Sequence, residues 1–216
     1  MDISPQLVES IVRQVIAAND GNSNELTAPI GISNRHLHLT QEHVEILFGK
    51  GYELQKLKDL SQPGQYACKE TVTIIGPSMR SIEGVRVLGP VRPQTQVEIS
   101  RTDSFTLKVK PPVRESGKIT GSAPVTIVGP KGVVTISEGC IIANRHIHMS
   151  LDDGARFGVK DCDYVTVELN GERRTTFYDV QIRVHKDFRL EMHIDTDDAN
   201  ASAIKTGDRV EILTQK

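Results

Sequence analysis

Short apolar runs alternate with turns along most of this chain from residue 30 onward. The runs are rich in Val, Ile and Thr, which are favoured in strands, and they are bounded by Gly, Pro, Asn or Asp, which are favoured in turns. We predict strands in residues 70–76, 95–100, 123–129, 163–169 and 208–213. Many short strands with few helices are typical of small barrels or sandwiches, so the pattern predicts a mainly β fold.

Two short helices are predicted, each directly after a run that contains histidines. Thr40 precedes QEHVEILF (residues 41–48), and Ser150 precedes LDDGARF (residues 151–157). Ser and Thr are favoured N-cap residues because their side-chain oxygens accept a hydrogen bond from the first turn of a helix. The sequence therefore predicts short capping helices in addition to the strands.

The first twenty residues follow a helical pattern. After Ser4 and Pro5, which suit the start of a helix, apolar residues recur at helical spacing. We predict an amphipathic helix in residues 1–20 and a polar linker in residues 21–28. An isolated helix of this length is marginal in water, so its apolar stripe is expected to dock on this protein or a second subunit, or in a groove of another protein.

Charge and composition exclude several classes of protein. The formal net charge of the 216 residues is −2, without a block of Lys and Arg, so we expect no nucleic-acid or membrane-surface partner. No apolar run approaches the roughly 20 residues of a spanning helix, and no signal peptide is expected. Three widely spaced cysteines favour a reducing compartment over a disulfide framework. We therefore expect a protein of the cytosolic type.

One histidine pattern occurs twice. NRHLHL (residues 34–39) recurs as NRHIHM (residues 144–149), and these two copies use four of the 7 histidines. The repeat extends further, because similar strand runs follow both copies in the same order. We predict two small β-barrel-like domains from an internal repeat, residues 29–140 and residues 141–216, with exchange of strands between them left open.

The repeat predicts two metal sites. In an extended segment alternate side chains share a face, so both histidines of each copy point the same way. When the repeats are aligned, Glu98 falls on His193, and each adds a third donor from a later strand. The candidate trios are His36, His38 and Glu98, and His146, His148 and His193. Three protein donors with an open fourth position are typical of catalytic zinc, although Co, Mn and Fe also bind such ligands.

An arginine precedes the first of these third donors. In GPVRPQTQVE (residues 89–98), a strand face carrying Arg92, Gln96 and Glu98 is expected to place a guanidinium near the metals. A guanidinium matches phosphate or carboxylate in a bidentate way, and the alternative is a surface salt bridge. Asp187 occupies the corresponding position of the second repeat, so the two halves differ here.

Taken together, NRHLHL, NRHIHM, GPVRPQTQVE and HIDTDDANA (residues 193–201) resemble the motifs of the PduL-type phosphate acyltransferases, a family associated with bacterial microcompartments. The resemblance covers residues 28–214. It implies two β-barrel-like domains with the active site between them. It also implies reversible exchange of coenzyme A (CoA) and phosphate on a propanoyl or acetyl group, so the expected partners are acyl-CoA, CoA, phosphate and acyl phosphate.

The same resemblance assigns roles to residues. It implies two zinc ions per chain, one held by each trio, and phosphate bound by Arg92 as the catalytic arginine. The residues implied at the CoA site are Ile32, Ser33, Asn34 and Asn200. Family members often carry an N-terminal helix that directs packaging. The helix is therefore expected to bind shell proteins and to place the chain in the microcompartment lumen, with the free cytoplasm as the alternative and homo-oligomerisation left open.

Other functions fit the same motifs. A two-metal hydrolase of thioesters or phosphate esters would use water in place of phosphate as the nucleophile. A non-catalytic, metal-stabilised assembly protein would have closed metal coordination and would tolerate replacement of Arg92. For the acyltransferase we expect direct transfer between bound substrates. The charge of the ligands alone favours CoA sulfur at the site with Glu98 and phosphate at the all-histidine site.

Overall fold

The computed structural model describes residues 26–213. The helix predicted in residues 1–20 lies outside this range, as does most of the predicted linker. Within the range the chain forms fourteen strands and four short helices, so the predicted mainly β fold is confirmed. No helix among these residues has the length and apolar character that crossing a membrane requires.

Six strands close into one barrel, which we call the C-barrel. Around the ring the strands are β1 (Thr27–Ser33), β13 (Glu191–Asp195), β10 (His146–Met149), β12 (Thr175–Val184), β11 (Tyr164–Leu169) and β14 (Arg209–Leu213). Alternate side chains fill its interior, as Ile147 and Met149 do on β10 and Val180 and Ile182 do on β12. One face of each strand is thereby buried, and the other face remains available for a site.

A second ring of six strands forms the N-barrel. Around it the strands are β9 (Val133–Ala143), β6 (Gln96–Glu98), β2 (His36–His38), β5 (Ser81–Gly89), β4 (Tyr66–Ile75) and β8 (Ala123–Val128). The ring closes because β8 pairs with β9 as well as with β4. Two further strands, β3 (Lys56–Asp59) and β7 (Val113–Arg114), pair with β4 and β9. The two barrels have the same strand order and the same pattern of parallel and antiparallel pairs, which confirms the internal repeat.

Each barrel takes one strand from the other half of the chain. β1 precedes the N-barrel strands in the sequence but pairs with β13 and β14 of the C-barrel. β9 leads directly into β10 but pairs with β6 and β8 of the N-barrel. Residues 29–33 therefore belong to the C-barrel, and the division drawn at residue 140 falls inside β9. The barrels are joined by exchanged strands rather than by a flexible linker.

Four helices cover the ends of the strands. They are α1 (Gln41–Phe48), α2 (Arg101–Leu107), α3 (Leu151–Phe157) and α4 (Thr196–Ser202). The side chain of Thr40 caps α1 by accepting a hydrogen bond from the backbone N–H of His43, and Ser150 caps α3 by accepting one from Asp153. Both predicted helices and both predicted caps are confirmed.

Two of the four helices, α2 and α4, were not predicted. Ser100 and Asp103 form a capping box at the start of α2, and the Asp195 side chain accepts a hydrogen bond from Asp198 at the start of α4. Each helix has 7 residues. A helix of seven residues shows too little hydrophobic periodicity to be distinguished from a turn. The N-cap residues Ser100 and Asp195 were the features of the sequence that could have indicated these helices.

Candidate active site

A cleft between the barrels is lined by the two segments in which the chain crosses from one barrel to the other. Residues 34–35 connect β1 to β2, and residues 144–145 connect β9 to β10. Asn34, Arg35 and Asn144 of these segments line the cleft. The same cleft is lined by the strands that carry the predicted third donors, β6 and β13. The two copies of the Asn-Arg-His motif therefore meet at one place, because each is a crossover between barrels.

The first trio is assembled by the pairing of β2 with β6. His36 lies directly opposite Glu98 in an antiparallel register, and their Nε2 and Oε2 atoms are 3.5 Å apart. The donor atoms of His36, His38 and Glu98 all lie within 4.8 Å of one another. Nδ1 of His36 is 2.8 Å from the carbonyl oxygen of Asn34, so Nε2 is the ring nitrogen that remains free to bind a metal ion.

The second trio repeats this arrangement on β10 and β13. His146 lies opposite His193, and the donor atoms of His146, His148 and His193 also lie within 4.8 Å of one another. Nδ1 of His146 is 2.7 Å from the carbonyl oxygen of Asn144. The structure thus assembles each of the two predicted trios.

The chemistry of these donors fits a metal ion. In the described part of the chain, Nδ1 of His38, Nδ1 of His148 and Nε2 of His193 are buried without a hydrogen-bond partner. Such an unsatisfied buried atom costs about 1–3 kcal/mol, which a coordinated ion would relieve. Burial lowers the pKa of His38 to about 3 and that of His146 to about 4, so both imidazoles are neutral at pH 7 and have a free lone pair. Imidazoles and a carboxylate within this spacing are ligands that suit a zinc ion.

Glu98 is ionised although it is buried. Burial raises its pKa, but the charge and hydrogen bond of the adjacent His36 outweigh burial and lower it below the ordinary value. Two neutral groups also fix the carboxylate: Gln96 Nε2 donates to Oε1 at 2.6 Å, and Ser116 Oγ donates to the same oxygen at 3.0 Å. The first trio therefore has one negative ligand in a defined orientation.

Arg92 reaches the site from a loop. It was expected on a strand face, but β6 begins only at Gln96, and the backbone N–H of Arg92 donates to the carbonyl oxygen of Leu39 at 2.8 Å. Its guanidinium donates to Ser116 Oγ at 3.3 Å and to Gln65 Oε1 at 3.5 Å. Both acceptors are neutral, so these hydrogen bonds leave the positive charge available to an anionic ligand.

A second arginine, Arg183, was missed by the sequence analysis. It lies on β12 beside His148 in a parallel register, so the two side chains share a face. The Nη2 atom of Arg183 lies 3.9 Å from Glu115 Oε1, and the next residue, Ser116, accepts a hydrogen bond from Arg92, so both guanidiniums contact one short segment. Leu88 occupies the position of Arg183 in the first repeat. This replacement of an apolar residue by an arginine was the feature of the sequence that could have identified Arg183.

The arginines of the repeated motif hold the crossover segments. The guanidinium of Arg35 binds Asp103 through Nε at 2.9 Å and Nη2 at 2.7 Å. Arg145 binds Asp198 through the same two atoms, both at 2.8 Å. Each pair joins a crossover segment to the helix that follows a third-donor strand. Both copies form the same bidentate pair, which explains why arginine precedes histidine in each of them.

Two of the four residues implied at the CoA site line the cleft. Ser33 and Asn34 line the cleft. Ile32 packs against the apolar core of the C-barrel. Asn200 is an exposed residue of α4. The assignment of these residues to CoA stays a prediction.

Known proteins with the same sequence features identify the family. The sequence profile of the phosphate propanoyltransferases matches residues 29–205. A phosphate propanoyltransferase of Lachnoclostridium phytofermentans is 56% identical over 208 residues, which cover 96% of this chain and 97% of the relative. One of Thermotoga maritima is 58% identical over 185 residues, or 85% of this chain and 88% of the relative. The chain therefore belongs to the phosphate propanoyltransferase family and is a phosphate acyltransferase.

Proposed function

We propose that this enzyme exchanges CoA and phosphate on a short acyl group, propanoyl or acetyl, at a two-zinc site between its barrels. The observation that carries the proposal is the presence of two donor trios whose residues His36, Glu98, His146 and His193 line one cleft. The family supplies the reaction class, and the named relatives act on propanoyl groups. Propanoyl and acetyl differ by one methylene, which limits discrimination to about 1–3 kcal/mol.

The trios would hold the two zinc ions. His36, His38 and Glu98 would bind one, and His146, His148 and His193 the other. Bound zinc supplies Lewis-acid polarisation of a carbonyl and stabilises a thiolate that would otherwise be protonated at neutral pH. The buried strands β2 and β10 give the donors fixed positions, so little reorganisation is needed during the reaction.

The two arginines would bind phosphate. Phosphate at neutral pH is largely a dianion, and two guanidiniums match its charge and its several acceptor oxygens. Ser116 Oγ links Arg92 to the first trio, because it accepts a hydrogen bond from Arg92 and donates one to Glu98. Arg183 pairs with His148 of the second trio on the neighbouring strand. The arginines therefore approach from the two trios, and phosphate between them would be oriented for attack.

Acyl transfer would be direct. A phosphate oxygen attacks the thioester carbonyl carbon, the carbon–sulfur bond breaks, and CoA leaves as a thiolate while acyl phosphate forms. The attacking oxygen is already unprotonated, so no side chain is required as a base. A cysteine nucleophile is disfavoured, because burial raises the pKa of Cys68 to about 11 and that of Cys140 to about 12. Holding both substrates in place can contribute about 7–11 kcal/mol of barrier lowering.

The proposal is tested by metal analysis and by an assay of CoA release. We expect about two zinc ions per purified chain, because two trios of buried donors are present. Release of CoA from propanoyl-CoA should require phosphate, and arsenate should replace it. Without either oxyanion, CoA release should stay below one equivalent per chain.

Each alternative gives a different result in that assay. A hydrolase would release CoA at the same rate without phosphate, and an assembly protein would release none. A stoichiometric burst of CoA without phosphate, with acyl group retained on the protein, would contradict direct transfer.

The N-terminal segment is proposed as an address for packaging in a microcompartment. Residues 1–20 lie outside the described range, so the proposal rests on their apolar spacing and on the family resemblance. Deletion of residues 1–20 is expected to leave kcat/KM unchanged and to abolish co-purification with shell proteins. A lower melting temperature with co-purification retained would show instead that the segment docks on the enzyme itself.

A further inference from the structure

Glu191 is a carboxylate at the second trio that the sequence analysis did not consider. It lies two residues before His193 on β13, so the two side chains share a face, and it pairs directly with His148 across the antiparallel register. The corresponding position of the N-barrel is Gln96, which pairs with His38. β6 and β13 thus each carry one glutamate, but when the repeats are aligned Glu98 falls on His193, two residues after Glu191.

The carboxylate of Glu191 touches a residue of the trio. Its Oε2 atom is 3.0 Å from Nε2 of His193, which is closer than the 3.5 Å between Glu98 and His36 in the first trio. Within the described residues, Nε2 of His193 has no hydrogen-bond partner, which leaves it available to an ion. Glu191 is not one of the mutually close donors of the second trio, so it would act from beside the ligands.

Groups from both barrels fix the position of Glu191. Ser61, in the loop between β3 and β4 of the N-barrel, donates a hydrogen bond from Oγ to Glu191 Oε2. Its neighbour Gln62 is buried and pairs twice with the backbone of Arg189, donating to the carbonyl oxygen at 3.0 Å and accepting from the N–H at 3.1 Å. On β1, a Cβ atom at Gly31 would lie 2.9 Å from the Glu191 carboxyl carbon, so glycine leaves the space that the carboxylate fills.

We propose that Glu191 is a positioning residue for the second metal ion, placing a fixed negative charge beside the ligand nitrogen of His193. The inference rests on the proposed two-zinc function. Nε2 of His193 would bind the ion, so Glu191 would act on the site through its charge and not as a hydrogen-bond acceptor, and loss of a partner just outside the ligands commonly weakens metal binding about 10–100-fold. Because Ser61 and Gln62 come from the N-barrel, the second site depends on docking between the barrels.

The proposal changes the electrostatic comparison of the two sites. With Glu191 counted, each trio has one carboxylate in contact with an imidazole, Glu98 in the first and Glu191 in the second. The two sites then have the same formal charge. Ligand charge therefore gives no reason to assign CoA sulfur to one site and phosphate to the other.

The test is the rate at which each zinc ion is lost from the full-length holoenzyme to a chromogenic chelator. Glu191→Gln keeps the shape of the side chain and removes its charge. One equivalent of zinc should be released at least about 10-fold faster than from the wild type, and the other at the wild-type rate. Glu191→Asp should restore part of the retention. Glu168→Gln is the matched control, because this strand glutamate pairs with Arg174 instead of a histidine.

Ser61→Ala tests the same idea without altering β13. It should accelerate release of the same equivalent by a smaller factor, since Glu191 keeps its charge but loses one of its fixed contacts. Unchanged release of both equivalents from Glu191→Gln and Ser61→Ala would overturn the proposal. Equal acceleration of both equivalents would overturn it too, because that is the result of general destabilisation. A wild-type protein that binds no zinc would refute the two-zinc function itself, and this inference with it.

Discussion

Replacement of Arg92 by alanine is expected to lower kcat/KM for phosphate by about 10²–10³-fold, the usual effect of removing one group that stabilises charge in a transition state. The guanidinium is half-buried and hydrogen-bonds only neutral side chains, so its charge has no other evident role. Zinc content and melting temperature should stay near the wild-type values. Phosphate-dependent release of CoA from propanoyl-CoA, measured over a range of phosphate concentrations, provides the value.

Arg92→Lys separates charge from shape. Lysine keeps the positive charge but cannot form the planar fork of the guanidinium, so this variant should be intermediate between wild type and Arg92→Ala. Arg174→Ala is the matched control, because Arg174 pairs with Glu168 on the surface of the C-barrel. Full activity of Arg92→Ala would contradict the phosphate role.

Loss of a single histidine from either trio should be at least as severe. His38→Ala and His148→Ala are each expected to reduce zinc content from about two ions per chain to about one and to lower kcat/KM by at least about 10³-fold. A metal ion supplies several kcal/mol of charge stabilisation, and each 1.36 kcal/mol is a factor of ten. Elemental analysis of the purified variants, beside the CoA-release assay, measures both effects.

His43→Ala is the control for these two variants. His43 belongs to the N-barrel half of the chain but to neither trio, and its Nδ1 atom lies 2.7 Å from Thr95 Oγ1. It should retain two zinc ions and near-normal activity. If His38→Ala or His148→Ala kept both zinc ions, the assigned ligand sets would be incorrect, whatever the activity of the variant.

The trios could be predicted from the sequence because they depend on local alternation and on a repeat. The alternation of a strand puts His36 and His38 on one face, and the alignment of the repeats puts Glu98 on His193. Both steps need only spacing along the chain. The strands and the helices that follow each histidine run were predicted for the same reason.

The groups around the trios depend on tertiary structure and could not be predicted in this way. Ser61 reaches Glu191 across 130 residues of sequence, and Arg183 of the C-barrel lies 3.9 Å from Glu115, next to the Ser116 that Arg92 contacts. The local sequence pattern does not indicate which loop of one barrel contacts which strand of the other. Arg92 was expected on a strand face, because its location in a loop between Pro90 and Pro93 could not be distinguished from a strand end.

The exchange of β1 and β9 has a consequence for the origin of the enzyme. A polypeptide with only one repeat would leave a gap in its own ring, with two open strand edges, and could close it only by accepting the leading strand of a second copy. Such a pair would be a twofold-symmetric dimer with two identical metal sites. Fusion of the two copies releases that symmetry constraint. Only then could one site acquire Glu98 where the other has His193, and only one half acquire Arg183.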